Sequence, residues 1–180
     1  IHAINALSRA PLDWDEVSIP INVLAVLYGG EISQVADNQI VKEYFKSATD
    51  IGFPIPDELN VKKEILDYLK NNPTRVLLNR APSLHKYNIL SFKPVPHTIE
   101  EGMVLKLNPL VFKGFGADAD GDEMAIHALL DEKSISEADR LTPTHPTNML
   151  SIASGEPILD FDQDFVLGNF LLNGKNKKSE

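Results

Sequence analysis

The chain has 180 residues, 43% of them hydrophobic, enough for one compact domain, or little more, with a real core. It has no cysteine, which excludes disulfides and thiolate zinc sites. Its formal net charge of −9 excludes gripping a nucleic-acid backbone by counterion release unless positive surface comes from elsewhere.

The opening IHAINALSRAP has neither the basic segment nor the apolar stretch of a signal peptide, and no initiator Met. The chain therefore reads as a piece of something longer. The longest apolar run, VLAVLY, is too short to cross a bilayer, so no membrane role and a cytoplasmic location are expected. SIPINVLAVLYGG predicts a short helix with Pro20 at its first position and Gly29 and Gly30 as its stop. DNQIVKEYFKSA predicts a second helix. Asp37 is its expected N-cap, and Ile40, Val41, Tyr44, Phe45 and Ala48 recur at helical spacing. GFPIPDE is a proline-broken loop, and VKKEILDYLK repeats the helical pattern until NNPT ends it.

From Thr74 the texture changes. RVLLN, NILSFKPV and MVLKLNPLVF predict short strands between Pro, Gly and His turns. MAIHALL is apolar and strand-like, and SEADRL suits a helical turn or two. MLSIAS and EPILDF read as strands, and DFVLGNFLL fits either state. The tail is polar and basic, with Lys175, Lys177 and Lys178 read as solvated. The expected fold class is α+β, mainly β, with residues 20–72 as a helical insertion. Residues 1–19 and 73–130 make the β unit, 131–172 complete it or lie beside it, and 173–180 are tail.

The chemistry concentrates in GADADGDEMAIH, residues 116–127. Asp118, Asp120 and Asp122 stand at alternate positions with Gly121 between the last two. Carboxylates this close repel, and a bound divalent cation removes that penalty. Oxygen-only ligands suit Mg²⁺ or Mn²⁺ more than zinc. Gly121 permits the tight bend that convergence requires. A calcium loop fails on register: with Gly121 at its sixth position, Gly116 falls at the first and His127 at the twelfth, where acids are needed. Spacing alone leaves a solvated acidic loop as the alternative.

GADADGDEMAIH resembles the metal-binding motif NADFDGDxMAxH of the largest, β′-type, subunit of multisubunit DNA-dependent RNA polymerases. RVLLNRAPSLHKYNILSFKPV, residues 75–95, resembles that family's LLNRAPTLHR segment and its continuation. LKLNPLVFKGF resembles the approach to the aspartates, and NMLSIASGEPILDFDQDFVLGNF the bacterial stretch NILSPANGEPI…QDVVLG. SIPINVLAVLY is a fainter echo of an upstream helix. The resemblance covers most of residues 10–172 and is strongest from residue 75 onward.

The resemblance implies a double-psi β-barrel that carries the aspartate loop. It implies nucleotidyl transfer: an RNA 3′-hydroxyl attacks the α-phosphate of a nucleoside triphosphate, directed by a DNA template. Asp118, Asp120 and Asp122 would be the catalytic residues and would hold the catalytic Mg²⁺ (or Mn²⁺), with a second Mg²⁺ arriving on the triphosphate. Arg80 matches the family arginine near the ribose hydroxyls of the incoming nucleotide, where a guanidinium fork donates at fixed geometry. The implied partners are a β-like subunit or domain with a second barrel, the remaining polymerase subunits, DNA template, RNA transcript and NTPs. Alone the chain would be inactive.

Two departures bear on the site. Gly116 stands where the family has an Asn that recognises the 2′-hydroxyl, so ribose selection is expected to fall to Arg80 or to weaken. Ala119 stands where the family has Phe, and a neighbour is expected to fill the space. Such departures suggest a divergent, phage-like relative. His85 and His127 read as core histidines bonded to backbone, Gln163 and Asp164 as structural, and His2, His97 and His145 make no ligand spacing. An RNA-templated polymerase of the two-barrel type shares the D-x-D-G-D core and is the alternative. A non-catalytic metal-binding or assembly module is a second.

Overall fold

The computed structural model describes residues 2–3, 12–50, 52–161 and 163–174. The tail lysines and most of residues 1–11 therefore lie outside the described residues.

The chain is α+β. Strand β1 (His2–Ala3) and strand β2 (Glu16–Pro20) precede three helices, α1 (Ile21–Val35), α2 (Gln39–Ser47) and α3 (Glu58–Asn71). Strands β3 (Arg75–Asn79), β4 (Ile89–His97) and β5 (Lys106–Leu107) follow, then the one-turn helix α4 (Phe112–Phe115) and strand β6 (Ala125–Leu129). Helices α5 (Glu132–Ala138) and α6 (Gln163–Gly174) complete the described elements. Helical residues outnumber strand residues, which corrects the mainly-β expectation.

Three segments account for that difference. Helix α1 runs through Gly29 and Gly30 instead of stopping there. Gly29 serves packing: a Cβ at this position would sit 2.8 Å from the Phe45 carbonyl oxygen, so its absence lets α2 lie against α1. In MVLKLNPLVF only Lys106–Leu107 is strand, because Pro109 starts a 3₁₀ turn that leads into α4. MLSIAS and EPILDF form no strands beyond one bridge between Leu150 and Pro157. The cap of α2 also moves by one residue, since the Asn38 side chain accepts from Ile40 N and Val41 N at 3.0 and 3.3 Å. Helix α3 and strand β3 fall where their apolar spacing predicts.

The strands form one open, mixed sheet in the order β1-β5-β2-β4-β3-β6. Strand β4 works as two halves. Residues 89–92 pair antiparallel with β3, and residues 93–97 pair parallel with β2. Pro94 and Pro96 lie in the second half, which β3 no longer pairs, so the ladder tolerates their missing N–H groups. Helices α1 to α3 lie in the long connection between the parallel strands β2 and β4. They share a single core with the sheet, including Ile19, Leu24, Tyr28, Phe45, Ile65, Val76, Phe92 and Phe115. Glu101 ties α3 to the sheet edge through Lys62 at 3.2 Å and Lys106 at 3.6 Å. Such half-exposed pairs are worth roughly 0.2–1 kcal/mol each. Among the described residues no helix is long and apolar enough to cross a membrane.

The buried histidine is His97, at the end of β4. His85 and His127, expected in the core, are exposed. His97 Nε2 donates to the Gly102 carbonyl at 2.9 Å, which leaves Nδ1 to accept from the Ser18 hydroxyl at 2.8 Å. This arrangement requires the neutral ring. Burial pushes the His97 pKa below its ordinary 6.5, and Lys106 and Lys62 push the same way, against the Gly102 hydrogen bond and Glu101. The unfolded chain then binds a proton that the folded chain resists. Stability is full above pH 6.5 and falls as the pH drops below it. The thermal midpoint should therefore decline between pH 7.5 and about pH 5.5, before ordinary carboxylates near 4 begin to titrate. In His97→Gln the decline should be largely absent, as scanning calorimetry across that range would reveal.

Candidate active site

Strand pairing builds the site. Strands β3 and β6 run antiparallel with Asn79 opposite Ala125, so the residues just beyond this rung, Arg80 on one strand and 122–124 on the other, emerge from the same end of the sheet. Arg80 heads the loop that returns to β4. Its Nε donates to Asp122 Oδ2 at 2.8 Å, with both side chains about one-quarter exposed. The same oxygen accepts from the Asp118 backbone N–H at 2.9 Å, and Asp118 Oδ1 accepts from Ala119 N–H at 2.7 Å.

The turn before this contact is set by two glycines. Gly116 caps α4 in the left-handed region at φ 59°, and Gly121 takes φ 121° between Asp120 and Asp122. Both conformations are strained for other residues. Ala117 is buried beneath the turn, while Asp118, Ala119 and Asp120 are exposed. Ala119 thus leaves no buried space for a neighbour to fill, contrary to expectation. The turn is instead held from below by Phe115, whose ring stacks on Phe92 at 5.9 Å.

Arg80 and Asp122 are thus brought together, and the three aspartates share one turn. The donor set is all oxygen and suits Mg²⁺ by its chemistry. The side chains are arranged otherwise here: among the described residues, no three His, Asp or Glu side chains gather so as to hold a metal ion. Asp118 and Asp122 direct oxygens to donors within the turn and to Arg80 instead. A nearby cleft of about 430 Å³ is lined by His85, Tyr87, Gly114 and Ile158 among others, and by none of the three aspartates. Asp118 and Asp120 face solvent, with no wall among the described residues to exclude water.

One residue at the site escaped the sequence reading. Asn88 is 3% exposed, and its amide nitrogen donates to the Phe115 carbonyl at 2.9 Å. A polar residue opening an apolar strand was the available signal.

Residues 33–144 match the family model described as RNA polymerase Rpb1, domain 2. A DNA-directed RNA polymerase subunit beta' from Morus indica is 41% identical over 143 residues, covering 77% of this chain and 20% of that protein. Its namesake from Guillardia theta is 40% identical over 124 residues, covering 69% of this chain and 19% of that protein. A DNA-directed RNA polymerase subunit gamma from a Cyanothece species is 46% identical over 105 residues, 58% of this chain and 16% of that protein. The chain spans about a fifth of the length of the curated relatives it matches.

The Arg80 hydrogen bond, followed by the Asp118 N–H, holds the Asp122 carboxyl below the usual carboxylate range, with partial desolvation opposing. Replacing Arg80 with Ala should raise the Asp122 titration midpoint toward the ordinary value. Carboxyl ¹³C shifts followed against pH would register the rise; an unchanged midpoint would mean the contact does not persist in solution.

Proposed function

Because the chain belongs to the β′-type family of RNA polymerase subunits, we propose that it is the catalytic-barrel region of a DNA-directed RNA polymerase, adding NTPs to an RNA 3′ end. The observation that carries this reading is the 2.8 Å contact between Arg80 and Asp122. Two motifs separated in sequence, NRAP and DADGD, meet at one end of the sheet, as a nucleotide ligand and a metal ligand of one centre must.

Asp118, Asp120 and Asp122 are the residues that would hold Mg²⁺. When bound, the metal lowers the pKa of the RNA 3′-hydroxyl and offsets charge at the reacting phosphate. Arg80 presents its guanidinium to the ribose hydroxyls of the incoming nucleotide. Gly121 gives the turn its reversal, and the Phe115–Phe92 stack keeps its base fixed. We also infer that the open sheet is the share of a double-psi β-barrel carried here. The mixture of parallel β1–β5 and β2–β4 pairs with antiparallel neighbours supports that reading. Residues 20–72 would be the helical insertion in it.

The exposure of Asp118 and Asp120 supports a facing partner. A β-like subunit with a second barrel would close the site against water and supply cations to the triphosphate, and DNA template, transcript and other polymerase subunits would complete the assembly. The names of the relatives, all DNA-directed polymerases, favour this reading over an RNA-templated enzyme.

The assembled polymerase should extend RNA only with Mg²⁺ or Mn²⁺, and Asp120→Ala should abolish extension while the subunits still co-purify. A variant that polymerises normally would refute the catalytic assignment.

A separate expectation concerns sugar choice. At Gly116 a Cβ meets nothing within 4 Å, and Asn is among the residues best tolerated at positive φ. Gly116→Asn should therefore fold and place an amide on the turn. It should raise the preference for ribo- over deoxyribonucleotides several-fold, measured as the ratio of kcat/KM values for the two.

A further inference from the structure

We propose that Asn88 is the positioning residue of this site: its carboxamide holds the Arg80 loop and the aspartate turn in a fixed relation. Asn88 is the last residue before β4, at the closing end of the loop that Arg80 opens. Its backbone carbonyl accepts from Arg80 N–H at 3.1 Å, and its own N–H donates to the His85 carbonyl at 3.1 Å. Side-chain Oδ1 accepts from both Leu84 N–H and His85 N–H at 3.1 Å. One buried residue therefore fastens the loop at its start and its middle.

The other half of the amide reaches across the site. Nδ2 donates to the carbonyl of Phe115, the last residue of α4. A carbonyl at a helix C-terminus has no partner within the helix, so this bond meets an existing need. Gly116 then turns left-handed, and Asp118 follows three residues after Phe115. The Phe115 ring is itself held against Phe92 of β4. The carboxamide is the group that can do both jobs at once. A carboxylate keeps the two acceptor bonds and loses the donor; an alanine loses all three.

The neighbouring residues anchor the loop elsewhere. Lys86 donates to the Thr147 carbonyl at 2.8 Å, and the Tyr87 hydroxyl to the Leu150 carbonyl at 2.9 Å. These bonds tie the loop to residues 147–150 and not to the aspartate turn. The Asn88 side chain instead bonds the end of α4, so the spacing between Arg80 and Asp122 depends on it more than on Lys86 or Tyr87.

The test pairs Asn88→Ala with Asn88→Asp. The aspartate variant retains both acceptor bonds in the loop and so guards against simple unfolding. In the full chain labelled with ¹⁵N, Arg80 Nε–H should exchange slowly in the parent and at the rate of exposed arginines in both variants, while thermal unfolding stays cooperative. In the assembled polymerase the KM for NTP should rise about tenfold, the scale of one hydrogen bond to a charged site, with kcat less affected. Adding Arg80→Ala to Asn88→Asp should raise KM no further. Unchanged Arg80 exchange in both variants, or effects on KM that multiply, would overturn the proposal. The kinetic arm alone rests on Arg80 binding nucleotide. If Arg80→Ala by itself leaves KM unaltered, that functional reading fails and the exchange rates still decide the role of Asn88.

Discussion

The pairing of β3 with β6 is the constraint on which the site depends. Antiparallel strands with a fixed register bring the end of one element and the start of another to the same place, whatever their distance along the chain. Asn79 opposite Ala125 leaves Arg80 and Asp122 to emerge side by side. A slip of one residue would turn Val76 and Leu78, both fully buried, out of the core. The same packing that stabilises the sheet therefore fixes the geometry of the charged groups at its end. No separate device is needed to bring the two motifs together; one is needed only to set their final separation, which is where the Asn88 amide acts.

The helices act on this arrangement indirectly. They pack on the sheet as part of one core, and α1 approaches α2 closely because Gly29 has no side chain. At the opposite end of β4 from the site, His97 joins β2, β4 and the Gly102 turn through two hydrogen bonds. Strand β4 is thus pinned at both ends by a buried polar residue, Asn88 where it begins and His97 where it finishes. Each polar group satisfied in the interior specifies one register, because any other would leave it unpaired.

The helices α1 to α3 and the strands RVLLN and NILSFKPV were legible because their apolar spacing is regular. The aspartates and Arg80 were legible as motifs, and their meeting follows from register, which the sequence does not print. What could not be read has physical causes. Gly29 and Gly30 look like a helix stop, yet a glycine that admits a neighbouring backbone has the same letter as one that ends a helix. MVLKLNPLVF has the composition of a strand, and Pro109 converts it to turns. Asn88 gave little warning, since a buried amide and an exposed one read alike until the partner, Phe115, is placed beside it.

The charge balance of the site sets what the proposed ligands would have to bring to it. Among the described residues, Asp122 is the one of the three aspartates that pairs with a basic side chain, Arg80. The chain as a whole carries a net charge of −9. A triphosphate approaching this surface would meet repulsion over most of it, and the guanidinium that would greet it is already engaged. A divalent cation would change both terms at once. If Asp118, Asp120 and Asp122 held one, it would neutralise the carboxylates, and by competing for Asp122 it would weaken the hold on Arg80. Metal and nucleotide are then expected to favour each other's binding, which is reciprocal by thermodynamic necessity. On that reading the remaining positive charge would come from across the open face, where Asp118 and Asp120 point into solvent and the described residues build no wall.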